Sequence, residues 1–180
     1  CSSFRIAYSI KGKGIDSLVK NPVDTSKGII KYMFSLPDTT AKIGSRNCMI
    51  PIYAQNVSSA ATKTLHNLRM RIIIDGDIFE PNFTTTTIIE NRVWEDNQQV
   101  LTLFFDSVLI TPVKQQIGSI KGTILLSEKD YTLLTFRYIS FDSDSSISII
   151  DTTNGKIVTN LNTEVCGKAF RNIGYYKPLK

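Results

Sequence analysis

Apolar residues recur at every second position along much of the chain. Phe4, Ile6, Tyr8 and Ile10 alternate with Arg5, Ala7 and Ser9, and Ile30, Tyr32, Phe34 and Leu36 alternate with Lys31, Met33 and Ser35. The same period runs through Leu68, Met70, Ile72 and Ile74, and through Thr132, Leu134, Phe136 and Tyr138. Side chains of a strand point alternately to its two faces, so this spacing predicts strands with one buried face. Segments rich in Ile, Val, Thr and Phe predict further strands near 48–55, 83–89, 99–105, 107–111, 119–126, 146–151 and 156–161. A helical period is nearly absent. The best helical candidate is the short segment from Ser58 to Leu65, which Ser58 or Ser59 would cap.

Turn-forming residues fall between these segments: Asn21-Pro22, Pro37-Asp38, Asp75-Gly76-Asp77, Pro81-Asn82 and Thr111-Pro112. Asn154-Gly155, between Ile149-Ile150 and Ile157-Val158, predicts a two-residue type I′ hairpin, whose central positions both need positive φ. Many short strands with closely spaced turns predict an all-β protein, an immunoglobulin-like or related β-sandwich of about 8–10 antiparallel strands. Residues 1–27 read as an N-terminal arm or tether, loosened by Lys11-Gly12-Lys13-Gly14, with an edge strand available at Phe4 to Ile10. Residues 28–180 read as the sandwich. Within it, a strand over Ile50 to Asn56, a polar connection over Val57 to Asn67 and a strand over Leu68 to Asp75 resemble the immunoglobulin-like modules of bacterial surface and envelope proteins. Cys48, Trp94 and Cys166 are spaced too widely for the Cys…Trp…Cys hallmark of antibody domains.

Composition is that of an ordinary globular chain: 180 residues, 42% hydrophobic and 21% charged. The net charge of +5 is spread along the sequence without a run of like charge, as on a solvated surface. The tail Arg171 to Lys177, with Tyr175 and Tyr176, comes nearest to a nucleic-acid motif, yet packing against the domain or a neighbour suits it better. No nucleic-acid partner is expected. No apolar stretch is long enough for a membrane-spanning helix.

The chain starts Cys1-Ser2-Ser3. This resembles a mature bacterial lipoprotein, in which a signal peptidase cuts just before a Cys that is then acylated; the alternative is a Cys left first by trimming of a longer chain. The resemblance implies a lipid anchor on Cys1, with the protein at the outer membrane, on its periplasmic side or at the cell surface. Acyl chains contribute about 0.8 kcal/mol per buried methylene, so several of them hold a domain without a transmembrane helix. Cys48 and Cys166 then remain as a pair. Either they form a disulfide, which an oxidising compartment permits, or they are two buried thiols.

Candidate chemistry is sparse. His66 is the only histidine, so a Ser-His-Asp or Cys-His arrangement depends on it alone, and no Gly-x-Ser-x-Gly turn accompanies it. Asp75, Asp77 and Glu80, and again Asp142 and Asp144, offer oxygen ligands without completing a calcium loop, and turn-forming Asp is the plainer reading. Glu90, Glu95 and Asp96 flank Trp94 in the manner of paired acids, with nothing in the sequence to position them. Asn56-Val57-Ser58 and Asn82-Phe83-Thr84 are glycosylation sequons only in a eukaryotic setting. The sequence thus predicts a protein with no catalytic centre and no cofactor. It reads as a lipid-anchored envelope protein that binds other envelope proteins, as a structural component of a secretion, pilus or motor complex. The alternative is a viral or phage structural protein, or a glycan-binding adhesin whose Thr84 to Thr87 surface would suit that role.

Overall fold

A computed structural model of the chain describes residues 5–6, 30–58, 60–84, 88–142 and 148–160. Twelve strands form along these residues: β1 (Arg5–Ile6), β2 (Ile30–Ser35), β3 (Thr39–Lys42), β4 (Cys48–Asn56), β5 (Lys63–Asp75), β6 (Phe79–Pro81), β7 (Ile89–Glu95), β8 (Gln98–Ile110), β9 (Gln115–Ile124), β10 (Tyr131–Asp142), β11 (Ser148–Thr153) and β12 (Gly155–Asn160). They build two six-stranded sheets, the first in the order β1-β11-β2-β4-β9-β6 and the second in the order β3-β12-β10-β5-β8-β7. The predicted all-β sandwich is the architecture observed.

The alternating residues supply the core between the sheets. Tyr32, Phe34, Ile50 and Ile52 of the first sheet face Leu68, Met70, Ile72, Leu101, Leu103 and Leu134 of the second, all buried. Tyr32 also meets Phe141 edge to face, with ring centroids 5.3 Å apart, a favoured geometry for aromatic pairs. At one end the buried Gln99 ties the sheets together: its Nε2 donates to the Phe79 carbonyl of β6.

Two strand pairings are parallel, and they are one structure. β2 runs beside β11, Ile30 against Ser148 through Ser35 against Thr153, and β3 runs beside β12, Thr39 against Ile157 through Lys42 against Asn160. The offset is the same on both sides of the corner. The Leu36 amide donates to the Thr153 carbonyl at 2.9 Å and carries the ladder into the bend. Both chain segments therefore cross from the first sheet to the second together.

This overturns the predicted hairpin at Asn154-Gly155. β11 and β12 pair with different strands in different sheets, and neither Asn154 nor Gly155 has the positive φ that a type I′ turn demands. Asn154 instead accepts a hydrogen bond from the Phe136 amide at 3.0 Å. The two-residue hairpin of that kind lies elsewhere, at Asp96 (φ 46°) and Asn97 (φ 63°), where Glu95 pairs with Gln98.

Three other expectations are corrected. Among the described residues from Ser58 to Leu65 no helix forms; β5 already begins at Lys63, because pairing with β8 claims the backbone groups of a segment too short to hold a helix alone. Of the strand expected over 83–89, Phe83 and Thr84 form a turn, 85–87 lie outside the described residues, and β7 begins only at Ile89. The separate strands expected at 99–105 and 107–111 are one strand, β8. That strand looked like two because its alternation slips: Phe105 and Val108 are buried while Asp106 and Ser107 are exposed. β5 slips opposite it, with Leu65 and Leu68 buried and His66 and Asn67 exposed, and Asn67 adopts φ 52° to allow it.

Candidate docking face

The outward residues of the second sheet form rows across its strands. With Leu68, Met70, Ile72 and Ile74 turned into the core, the intervening Arg69, Arg71 and Ile73 point outward. Strand register puts Thr135, Ile73, Val100 and Val93 in one row, and Tyr138, Arg71, Thr102 and Asn91 in the next. Val100 is buried but stands outside the inter-sheet core cluster, covered by its neighbours on this outer face. On the inner strand β10, Tyr131, Leu133 and Tyr138 are 57%, 59% and 51% exposed. Two shallow depressions open on this face. One, about 510 Å³, has Ile73, Tyr131 and Leu133 on its wall together with the charged Asp75, Lys129 and Asp130. The other, about 410 Å³, is lined by Arg69, Arg71, Glu90, Asn91, Thr102 and Tyr138.

Charged groups frame these apolar positions, mostly in pairs. Arg69 Nη2 lies 3.2 Å from Glu90 Oε1, and its guanidinium also stacks 4.9 Å from the Phe104 ring centre. Hydrogen bonding to Glu90 raises the Arg69 pKa above its ordinary value. Arg137 pairs with Glu95. Lys129 Nζ lies 2.5 Å from Asp75 Oδ2 and 3.0 Å from Asp77 Oδ2. Those two hydrogen bonds, Asp75 first, push the Lys129 pKa up.

The acidic groups singled out in the sequence are thus dispersed. Asp75 and Asp77 converge on an ammonium, and Asp75 Oδ1 accepts from the Asp77 amide at 2.9 Å in a side-chain turn. Glu80 pairs with Arg92 at 2.7 Å. Glu90 and Glu95 pair with different arginines, and Asp96 makes the turn. Asp144 lies outside the described residues. Trp94 is 51% exposed at the sheet edge, its ring against Gly76 and 5.5 Å from the Arg92 guanidinium, which also stacks 4.9 Å from Phe83.

His66 has Ser107 on one neighbouring strand and Asp142 on the other. All three are exposed, and among the described residues no hydrogen bond links their side chains. Asp142 accepts from Asn67 Nδ2 at 2.8 Å instead. Cys48 is buried on β4 opposite Gly122, and burial pushes its thiol pKa up. Cys1, Cys166 and the tail Arg171 to Lys177 lie outside the described residues. Asn56 is 1% exposed, its side chain bonded to Ala61 and Ser58. Asn82 is exposed and accepts from the Thr84 amide at 3.0 Å. The outward rows themselves went unread in the sequence. The signal was present in the second apolar set of the same strands, Ile73, Val93, Val100 and Leu133.

This strand arrangement is that of the cohesin-like jelly-roll sandwiches. The seventh ScaB type I cohesin from Pseudobacteroides cellulosolvens matches with a TM-score of 0.54 at 14% identity, over 75% of this chain and 96% of that one. The third ScaC cohesin of Acetivibrio cellulolyticus, solved in complex with the ScaB dockerin, matches with a TM-score of 0.50 at 18% identity, over 71% and 98%. The sixth scaffoldin B cohesin of the same organism, in complex with a Cel5 dockerin variant, matches with a TM-score of 0.50 at 13% identity, over 72% and 99%. At such identities the likeness is one of fold. No protein-family model matches the chain, and no curated protein matches it by sequence.

Proposed function

We propose that this chain is a non-catalytic binding module that docks a protein partner on the outer face of its second sheet. The observation that carries this reading is the exposure of Tyr131, Leu133 and Tyr138 on β10, a strand with neighbours on both sides. Single exposed apolar residues are ordinary on any surface. Here Tyr138 stands in register with Arg71, and Thr135, between Leu133 and Tyr138 on β10, stands in register with Ile73 and through it with Val100 and Val93. Aromatic residues and arginines flanking such a patch are the composition of protein-binding surfaces. Two cohesins of this fold were solved with a dockerin bound, which supports a protein as the partner by analogy of fold. In this reading the acidic groups are structural: each described one discussed above is spent on an ion pair, a turn or a neighbouring amide.

The same reading holds the domain at an envelope through lipid on Cys1, among the proteins of an envelope complex. Mass spectrometry of the protein from its native membrane tests the anchor: acyl mass on Cys1 supports it, and an unmodified Cys1 removes it. A photo-crosslinking residue tests the docking face, placed at Leu133 and, as a control, at Met49 on the other sheet. A discrete protein adduct from position 133 and none from 49 is expected. Adducts from 49 alone would move the interface to the first sheet.

A further inference from the structure

Resting on that docking face, we infer that its partner presents a carboxylate to Arg71, beside a large apolar side chain that seats on Ile73 and Leu133. The charges on this face make the case. Arg69 has Glu90, Arg137 has Glu95, and Lys129 has Asp75 and Asp77. Arg71, in the middle of the face, has no carboxylate among the described residues. Its contact is the Tyr138 ring, whose centre lies 6.0 Å from the guanidinium carbon. A guanidinium stacked on a ring keeps its in-plane N–H donors free, and those donors match the two oxygens of a carboxylate.

The surroundings agree with an anion. The 410 Å³ depression beside Arg71 holds two guanidiniums and one carboxylate, and Arg69 already neutralises that Glu90. Asn91, whose Oδ1 accepts from the Arg92 amide at 2.7 Å, also lines the depression and carries amide N–H donors. Thr102 adds a hydroxyl between them. One row away, a rise of two residues or about 7 Å along the strand, lie Ile73 and the 510 Å³ depression with Leu133 and Tyr131. An acidic residue and an apolar one at positions i and i+2 of an extended segment, or one turn apart on a helix, match that spacing.

Panning a phage-displayed random peptide library on the immobilised full chain tests this, with the enriched peptides then synthesised. Peptides carrying Asp or Glu two positions, or one helical turn, from a large apolar residue are expected, bound about tenfold or more weakly by Arg71→Gln, as for loss of one charge-assisted hydrogen-bonded pair. Arg71→Lys should recover part of that loss, and Lys31→Gln, on the first sheet, should change affinity less than twofold. Urea unfolding of each variant, with an unchanged midpoint, separates lost contact from lost fold. Peptides without acidic residues, insensitive to Arg71→Gln yet lost with Leu133→Ser, overturn the carboxylate and leave the docking face standing. Peptides insensitive to both substitutions, or no enrichment at all, overturn both.

Discussion

Gly155 lies so close to Pro37 that a Cβ built on it would stand 2.3 Å from the Pro37 carbonyl oxygen. The Leu36 carbonyl oxygen would be 2.7 Å away. Both are backbone atoms of the corner at which β2 passes into β3, so neither yields as a side-chain tip would. Gly155→Ala is therefore expected to cost about 1–3 kcal/mol through overpacking. Gly44 is the control: nothing lies within 4 Å of its Cβ position, and its φ of +79° makes Gly44→Ala a matter of backbone strain alone, about 1–2 kcal/mol. Urea unfolding read by circular dichroism measures both. Equal unfolding midpoints for Gly155→Ala and the parent would sink the close-contact account.

Asn56 is a structural residue, not a modification site. Its Nδ2 donates to the Ala61 carbonyl at 2.9 Å, and its Oδ1 accepts from the Ser58 amide at 3.3 Å and the Ser58 hydroxyl at 3.2 Å. Asn56→Ala leaves these groups short of a buried partner and should destabilise by about 1–3 kcal/mol. Asn82→Ala, on an exposed turn, should cost under about 1 kcal/mol. The same unfolding titration ranks the two.

Lys129 should titrate above the usual lysine value of 10.5, because Asp75 and Asp77 hydrogen-bond its charged form. A folded-state pKa raised in this way contributes stability that is complete below the unfolded lysine value. That contribution is lost as pH climbs through the folded value. Asp75→Asn should lower the Lys129 pKa more than Asp77→Asn, since Asp75 is the stronger cause. NMR titration of the Lys129 side chain gives the order directly. A larger effect from Asp77→Asn would contradict the geometry.

Trp94 is the chain's single tryptophan, so its fluorescence reports on one corner of the molecule. Arg92 covers the ring and is itself held by Glu80 at 2.7 Å. Arg92→Ala should make the emission more readily quenched by acrylamide while costing about 1 kcal/mol or less of stability, since the ion pair with Glu80 is only part-buried. Unchanged quenching would mean that Arg92 does not shield the ring in solution.

How far the sequence was legible depends on whether each strand keeps its phase. β2, β4 and the later half of β5 alternate without interruption and stand where the pattern predicts. Where the period slips at Asn67 and across Asp106-Ser107, the reading broke: one strand became two, and the start of β5 became a connection. β7 was missed because its Glu90, Arg92 and Glu95 make ion pairs on an edge strand, so polar residues fill both faces and no period survives. Asn154-Gly155 failed for another reason. Local turn chemistry announces a bend and is silent on which sheet receives the next strand; the parallel neighbours of β11 and β12 decide that, more than a hundred residues away in sequence. The docking face was hidden by the assumption that one face of each strand is core and the other merely wet.

The side-by-side passage of 30–42 and 148–160 also governs how the domain meets tension. A pull that enters at Ile30 and leaves at Asn160 drags the two segments past each other lengthwise. Their cross-strand bonds on both sides of the corner then carry the load at once, where a hairpin would peel open one bond after another. Forced rupture is set by the barrier to unfolding and not by equilibrium stability. A module gripped at these two points is thereby suited to staying folded while its partner, or whatever holds it, is being tugged.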